Sequence, residues 1–342
     1  MPRALTALCL AACSPLWAQG PEAERSSAER AFASSVQALP PVQLELEPAP
    51  PPPPAPPRSL PPLDFGSVTW PPNMGDDDRR AFGIALNVSG SFEGDTGWDN
   101  ITGNFDGQGL SLGLLNQCLG QGSLQPLMIG LRTKHPEKFK SFFSPAHLKS
   151  LNGMLDGWHR SGGPKFVDSR RSLLDEPVGF EAEAVSPNQA SVNWAKANLY
   201  KDGAFVPSWK KELQAMAASP EYVSLQIAAA HGYHLRALEY ETQVGVREFR
   251  AYLMMFDVVV QNGSFYPEDL SEYASYAQAH PEAPSAEKLE KLLILRLRHV
   301  RQQYVKDVKA RKGAIIHGKG VVHGESRDFP KEYSFDPLWA YK

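Results

Sequence analysis

The sequence predicts a mainly α (α+β) protein of two lobes, with a long central helix and a small β-element at a candidate active site. Three observations lead there. Apolar residues recur at helical spacing through most of the chain beyond residue 76. A proline-free run over 222–261 is long enough for a central helix, or for two helices in line broken at His231-Gly232 or at Gly245. Strand signals are few, confined to the glycine-rich stretch 98–113 and to 313–324.

The composition sets wide limits. With 342 residues, 42% of them hydrophobic and 21% charged, the chain can bury a sizeable core. A formal net charge of −3 offers no basic face for a nucleic acid, so that partner class is set aside. Monomer is the default, since no coiled-coil repeat is present.

The first 18 residues read as an export signal: Met1-Pro2-Arg3, an apolar centre over 4–10, and Leu16-Trp17-Ala18 as the cleavage site. Leu10-Ala11-Ala12-Cys13 resembles a bacterial lipoprotein box with Cys13 lipidated; a plain cleaved signal is the other reading. Either way the protein is expected to be exported: periplasmic, tethered at the outer membrane through a lipid anchor, or secreted. Residues 19–63 form a proline-rich tether, and its stretch 40–62 favours extended polyproline II at about 3.1 Å per residue. Cys118 is the one thiol outside the signal, so no internal disulfide is available, and its leucine neighbours make it a buried structural thiol.

The folded domain is expected over 64–342. Asp76-Asp77-Asp78 ahead of Phe82, Ile84 and Leu86 is a helix-start signature, acidic residues in the first turn complementing the helix dipole. Helices follow at 127–131, 136–143 and 146–157, punctuated by Pro136, Pro145 and Gly157. The Gly/Pro-rich region 161–189 reads as a connection between lobes. Further helices are expected at 189–199, 207–217, 222–261 and 285–311, and strands at 313–317 and 320–324 as a hairpin.

The chemistry-bearing residues concentrate in 91–128. Glu93 closes an apolar helical run, and Asp106 stands in a polar, glycine-shaped segment. Two carboxylates on separate pieces of backbone suit hydrolysis of a glycosidic bond. One protonates the leaving oxygen while the other activates water or attacks the sugar. Beside Phe92, Glu93 is expected to be partly shielded from water, the surrounding a general acid needs. Asn100, Thr102, Asn104, Gln108 and Gln117 are expected to bind sugar hydroxyls or acetamido groups.

No metal or cofactor is expected. Asn104, Asp106 and Gln108 alternate like calcium ligands, but Leu115 stands where a bidentate Glu should close such a loop. His231, His234 and Glu239 lack a third ligand, and His317 with His323 flank the expected hairpin. Asp257, inside an apolar run, reads as a buried carboxylate tying the central helix to the active-site lobe. No Gly-x-Ser-x-Gly elbow is present.

Phe92-Glu93, then Asp106-Gly107-Gln108-Gly109, then Ser111-Leu112-Gly113 resembles the active-site strip of the glycoside hydrolase family 46 chitosanases, members of the lysozyme-like superfamily. That family shows Phe-Glu-Asn, Asp-Gly-Arg-Gly and a Thr two residues later. Phe256-Asp257-Val258-Val259 and the closing Phe335-Asp336-Pro337-Leu338-Trp339 extend the resemblance over about residues 80–342. It implies a two-lobed lysozyme-like fold, Glu93 as general acid, Asp106 as the base that activates water, and Ser111 positioning that water.

Gln108 departs from the family's Arg, the Glu-to-Asp interval is shorter, and Ser123 stands where the family's Asp binds the amino group of glucosamine. Without that charge-assisted contact, peptidoglycan is preferred over chitosan, and a partly deacetylated glycan reconciles the two. The strip also resembles exported bacterial proteins associated with cell-wall degradation. A true chitosanase and a non-catalytic wall-binding lipoprotein are the alternatives. Carboxylates about 6.5–9.5 Å apart imply inversion, and about 5–5.5 Å retention.

Overall fold

The computed structural model describes residues 61–94, 96–162 and 187–341. The signal, Cys13, the tether up to residue 60 and most of the expected inter-lobe connection lie outside the described residues. In chain order the elements are α1 (Asp76–Glu93), β1 (Ile101–Thr102), β2 (Ser111–Leu112), β3 (Gln117–Cys118), α2 (Leu124–Lys134), α3 (Pro136–Phe142), α4 (Pro145–Arg160) and α5 (Pro187–Asn198). Then come β4 (Tyr200–Lys201), β5 (Ala204–Phe205), α6 (Pro207–Ala217), α7 (Pro220–Val244), α8 (Phe249–Asn262) and α9 (Pro267–Ala279). The chain closes with α10 (Ser285–Leu297), α11 (Gln302–His317), β6 (Lys319–Val322), β7 (Glu325–Asp328) and α12 (Phe329–Tyr333). The protein is mainly α, with small antiparallel β-elements, as the sequence predicts.

Two hydrophobic cores account for the two lobes. One is built from α1, α7, α8, α10 and α11, with Phe82, Ile227, Phe256, Leu292 and Ile315 at its centre. The other gathers Leu110 and Leu112 of the glycine-rich stretch with Leu127, Leu151, Trp209 and Leu213. The 25-residue helix α7 is the central one: Tyr222 in its first turn belongs to the second core, Ile227 and Ala237 to the first. Ser219 caps its start by accepting from the Tyr222 amide, and Gly245 ends it at φ 70°, a left-handed conformation that suits glycine.

Three sequence expectations are corrected. Residues 222–261 are two helices, but not in line: beyond Gly245 the chain folds back and α8 packs on α7, bringing Tyr252 Oη within 2.7 Å of His234 Nδ1. Apolar on nearly every face, α8 is buried by this packing, and the C-terminal segment caps it. The Phe249 and Arg250 amides donate to the Trp339 and Pro337 carbonyls.

Residues 285–311 are not one helix either. They divide between α10 and α11, where 3₁₀-type bonds from the Arg298, His299 and Val300 amides turn the chain. Residues 313–317, expected as a strand, complete α11 instead. The β-branched Ile315 and Ile316 fill the first core there, so tertiary burial overrides strand propensity. A hairpin does form, between β6 and β7, with His323 (φ 53°) and Gly324 (φ 82°) at its two-residue turn.

Candidate active site

Glu93 is the last residue of α1, and a close backbone approach shapes the chain beyond it. A Cβ on Gly94 would stand 2.0 Å from Asn100 Oδ1. Only glycine leaves room for Asn100, whose Nδ2 donates to the Glu93 carbonyl at 2.9 Å. The Glu93 carboxylate is held from two sides: Oε1 pairs with Arg311 Nη1 at 2.7 Å, and Oε2 accepts from Asn116 Nδ2 at 3.0 Å. Asn116 lies between β2 and β3 at φ 49°, a strained backbone for a residue with a side chain. From that left-handed turn its amide reaches Glu93.

The cation on Glu93 belongs to a buried network. Arg311 directs Nε and Nη2 onto Asp257, at 2.7 Å for the Nη2–Oδ1 contact, and Lys312 Nζ reaches Asp257 Oδ2 at 2.8 Å. Burial alone would push the Asp257 carboxyl up, but Arg311 and Lys312 outweigh it and hold it near 2. Burial wins at Lys312, whose ammonium is lowered to about 8 against the pull of Asp257. Arg311 keeps its charge despite burial because Asp257 and Glu93 flank it. Its guanidinium also lies 4.5 Å from the Phe92 ring centroid. Glu93 is partly shielded from water, its side chain 18% exposed, but the neighbours that hold its carboxyl are a cation and an amide, while Phe92 faces the guanidinium.

Asp106 ends a 3₁₀ turn, Asn104–Asp106, on the segment that leads to the second core. Two side chains brace the turn: Asn104 Oδ1 accepts from the Gly109 amide at 2.7 Å and Asp106 Oδ1 from the Gln108 amide at 3.0 Å. Gly109 has φ 81°, and a Cβ there would meet Val192 Cα at 3.0 Å, so the turn is pressed against α5. The exposed Asp106 is thus a carboxylate on a rigid support. Phe105 beside it is 84% exposed, the most exposed large hydrophobic residue among those described.

The remaining sequence candidates divide. Asn100, besides Glu93, donates to Asn116 Oδ1 at 3.0 Å, and Thr102 reaches the same oxygen at 3.5 Å, so both support the residue that holds Glu93. Ser111 and Gln117 lie buried on β2 and β3, facing Cys118 and Leu112 across the ladder. Gln108 Oε1 lies 3.6 Å from Cys118 Sγ. Cys118 is buried and its thiol is pushed up to about 11 by that burial, which leaves it inert as a nucleophile.

His317 and His323 do not meet over a metal: His317 Nε2 pairs with Glu290 at 2.8 Å and His323 Nε2 with Asp307 at 2.7 Å. His234 is buried against Tyr252, and Asp257 is fully buried on α8, as its place in an apolar run indicated.

Two residues central to this geometry, Arg311 and Asn116, were missed by sequence reasoning. Adjacent cations inside the apolar stripe of α11 were the available signal for the first. Nothing local marks the second.

A cavity of about 300 Å³ opens beside Glu93, between the end of α1 and the β6–β7 hairpin, with Ser91, His323, Glu325 and Arg327 among its walls. A second cavity of about 210 Å³ lies beyond Gly94, walled by Leu63, Trp98, Leu114 and Tyr333, without the Glu93 side chain.

The sequence matches no protein-family model, and no curated protein is significantly similar to it. Among solved structures, the chain is similar to the native chitosanase of Bacillus subtilis, at 12% identity and TM-score 0.41, covering 75% of this chain and 98% of that one. It is similar also to a family 46 chitosanase of Gynuella sunshinyii solved with chitotetraose, at 12% identity and TM-score 0.42, covering 72% and 88%. At such distance the chemistry of this chain rests on its own side chains.

Proposed function

We propose that this protein is an exported, lysozyme-like glycoside hydrolase that cleaves β-1,4 bonds of bacterial peptidoglycan, including a deacetylated form. The observation that carries the reading is the Glu93 carboxyl, fixed by Arg311 and Asn116 at a cavity mouth, together with a braced Asp106 on separate backbone. Glu93 delivers a proton to the glycosidic oxygen. Asp106 takes a proton from the water that attacks the anomeric carbon from the other face; Ser111, to which the resemblance gives the orienting of that water, is buried on β2 and is left out of the step. A fixed acid and base of this kind contribute about 10²–10⁴-fold each.

The substrate preference follows from Ser123. In the family that the strip resembles, an Asp at this position binds the amino group of glucosamine; here the Ser123 hydroxyl accepts from the Cys118 amide at 2.9 Å and returns a bond to its carbonyl. It is engaged inside the fold and carries no charge. A cationic glycan therefore lacks one strong contact here.

The test is product release from purified peptidoglycan, native and chemically deacetylated, with chitosan alongside, by wild type and Glu93→Gln. Muropeptides released by wild type alone are the expected result. Equal release by Glu93→Gln would remove Glu93 from the chemistry. Binding without release by wild type would mark a wall-binding protein instead.

A further inference from the structure

Seven side chains form a continuous chain of polar contacts that begins and ends on one cavity. Glu93 pairs with Arg311, Arg311 with Asp257, and Asp257 with Lys312. Lys312 Nζ continues to Gln261 Oε1, and Gln261 Nε2 donates to Asp307 Oδ2 at 2.9 Å. Asp307 Oδ1 then holds His323 Nε2 at 2.7 Å. Glu93 and His323 line the same cavity of about 300 Å³. The two ends of the chain therefore face one space, one as a carboxyl and the other as an imidazole.

His323 stands where the fold asks for something simpler. It takes the first central position of the hairpin turn at φ 53°, a place usually filled by Asn, Asp or Gly. A strained backbone at a cavity wall is a mark of functional sites. The charged groups around it are Glu93 from α1, Asp307 and Arg311 from α11, and Glu325 and Arg327 from its own hairpin. Arg327 is engaged by Glu332 of α12. The contact with Asp307 raises the His323 imidazole against the effect of burial and of Arg311, with Glu93 acting in the same sense as Asp307. Asp307 is correspondingly lowered, chiefly by His323.

We propose that His323 is a positioning residue for Glu93: clamped by Asp307, it places a positive charge on the hairpin wall of the Glu93 cavity, and the proton on His323 and the charge on Glu93 stabilise each other. The coupling is reciprocal by thermodynamic necessity. Its functional half rests on the hydrolase reading above: the His323 charge faces the cavity in which Glu93 would meet the leaving oxygen.

The experiment is a histidine-resolved NMR titration of the full chain, with His323→Gln to assign the resonance and His317 as internal reference. His317 pairs with Glu290 and is not among the residues of that cavity, so it should not respond. Asp307→Asn is expected to lower the His323 midpoint by about one unit. Glu93→Gln should lower it by a smaller amount, with His317 unmoved. An unchanged His323 midpoint in Glu93→Gln overturns the coupling, and that variant decides the matter if Asp307→Asn fails to fold. Where hydrolysis is measured, His323→Gln should shift the pH–rate profile relative to wild type; an unshifted profile overturns the positioning role. The titration needs no substrate, so an inactive wild type with coupled His323 would overturn the hydrolase reading alone.

Discussion

Replacing Asp257 with Asn would test whether the site is built on a balanced set of buried charges. Asp257 is fully buried and faces two cations, Arg311 and Lys312, while Glu93 supplies the second negative charge. The four groups sum to zero. Asn keeps the shape and one acceptor but leaves a surplus positive charge in a dry interior. Removing one member of a buried ion pair costs about 3–5 kcal/mol. For a folded body of this size each kcal/mol is roughly 2–4 °C, so Tm should fall on the order of 10 °C.

Lys312 gives the prediction a second dimension. Its ammonium already sits near 8, and without Asp257 it sheds its proton at still lower pH, relieving the surplus charge. The native variant then binds fewer protons than its unfolded chain, so above about pH 5 its deficit shrinks as pH rises toward 8. Adding Lys312→Met to Asp257→Asn should recover part of the loss, because Arg311 and Glu93 remain a neutral pair. Thermal and urea unfolding of the full chain at pH 6 and pH 8.5 measure both effects. A deficit below about 1 kcal/mol at pH 6, or a double variant no better than the single one, would refute the charge-balance reasoning.

Three other outcomes are expected. In the wild type, Asp257 is held near 2, below its unfolded value, so its stabilisation is present above about pH 4 and lost as pH falls toward 2. Urea titrations should show a loss of about 2 kcal/mol from this group over that window, absent in Asp257→Asn. Gly94→Ala puts a methyl into Asn100 and should cost about 1–3 kcal/mol while lowering kcat, read by calorimetry and product assay. Phe105→Ala removes an exposed ring beside Asp106: stability should hold within about 0.5 kcal/mol. If that ring stacks on sugar, KM should rise roughly fivefold, about 1 kcal/mol of contact. Proton NMR of fresh products separates the two roles open to Asp106: an inverted anomeric centre fits a base that activates water, and a retained one fits a nucleophile.

Much of the layout was legible because it depends on local pattern. The aspartates before Phe82 set the start of α1, Gly245 ends α7, and prolines begin α3, α4 and α6 at their first turn. The errors share one cause. Ile315 and Ile316 look like strand residues, yet they fold as helix because the first core offers them a wall. The fold-back of α8 onto α7 and the break before α11 likewise depend on what each segment packs against, which periodicity does not state.

The candidate site divides the same way. By itself the sequence determined the carboxylates Glu93 and Asp106, the glycine-rich backbone that carries them, and a buried role for Asp257, because residue type and spacing are local properties. Only the tertiary structure decided what surrounds Glu93. Arg311, 218 positions further along by sequence number, is brought onto its carboxyl by the packing of α11 on α8, and Asn116 reaches it from a strained turn. Ion pairs and aimed amides act over a few ångströms of space, and the distance that matters to them is set by the packing of the whole chain.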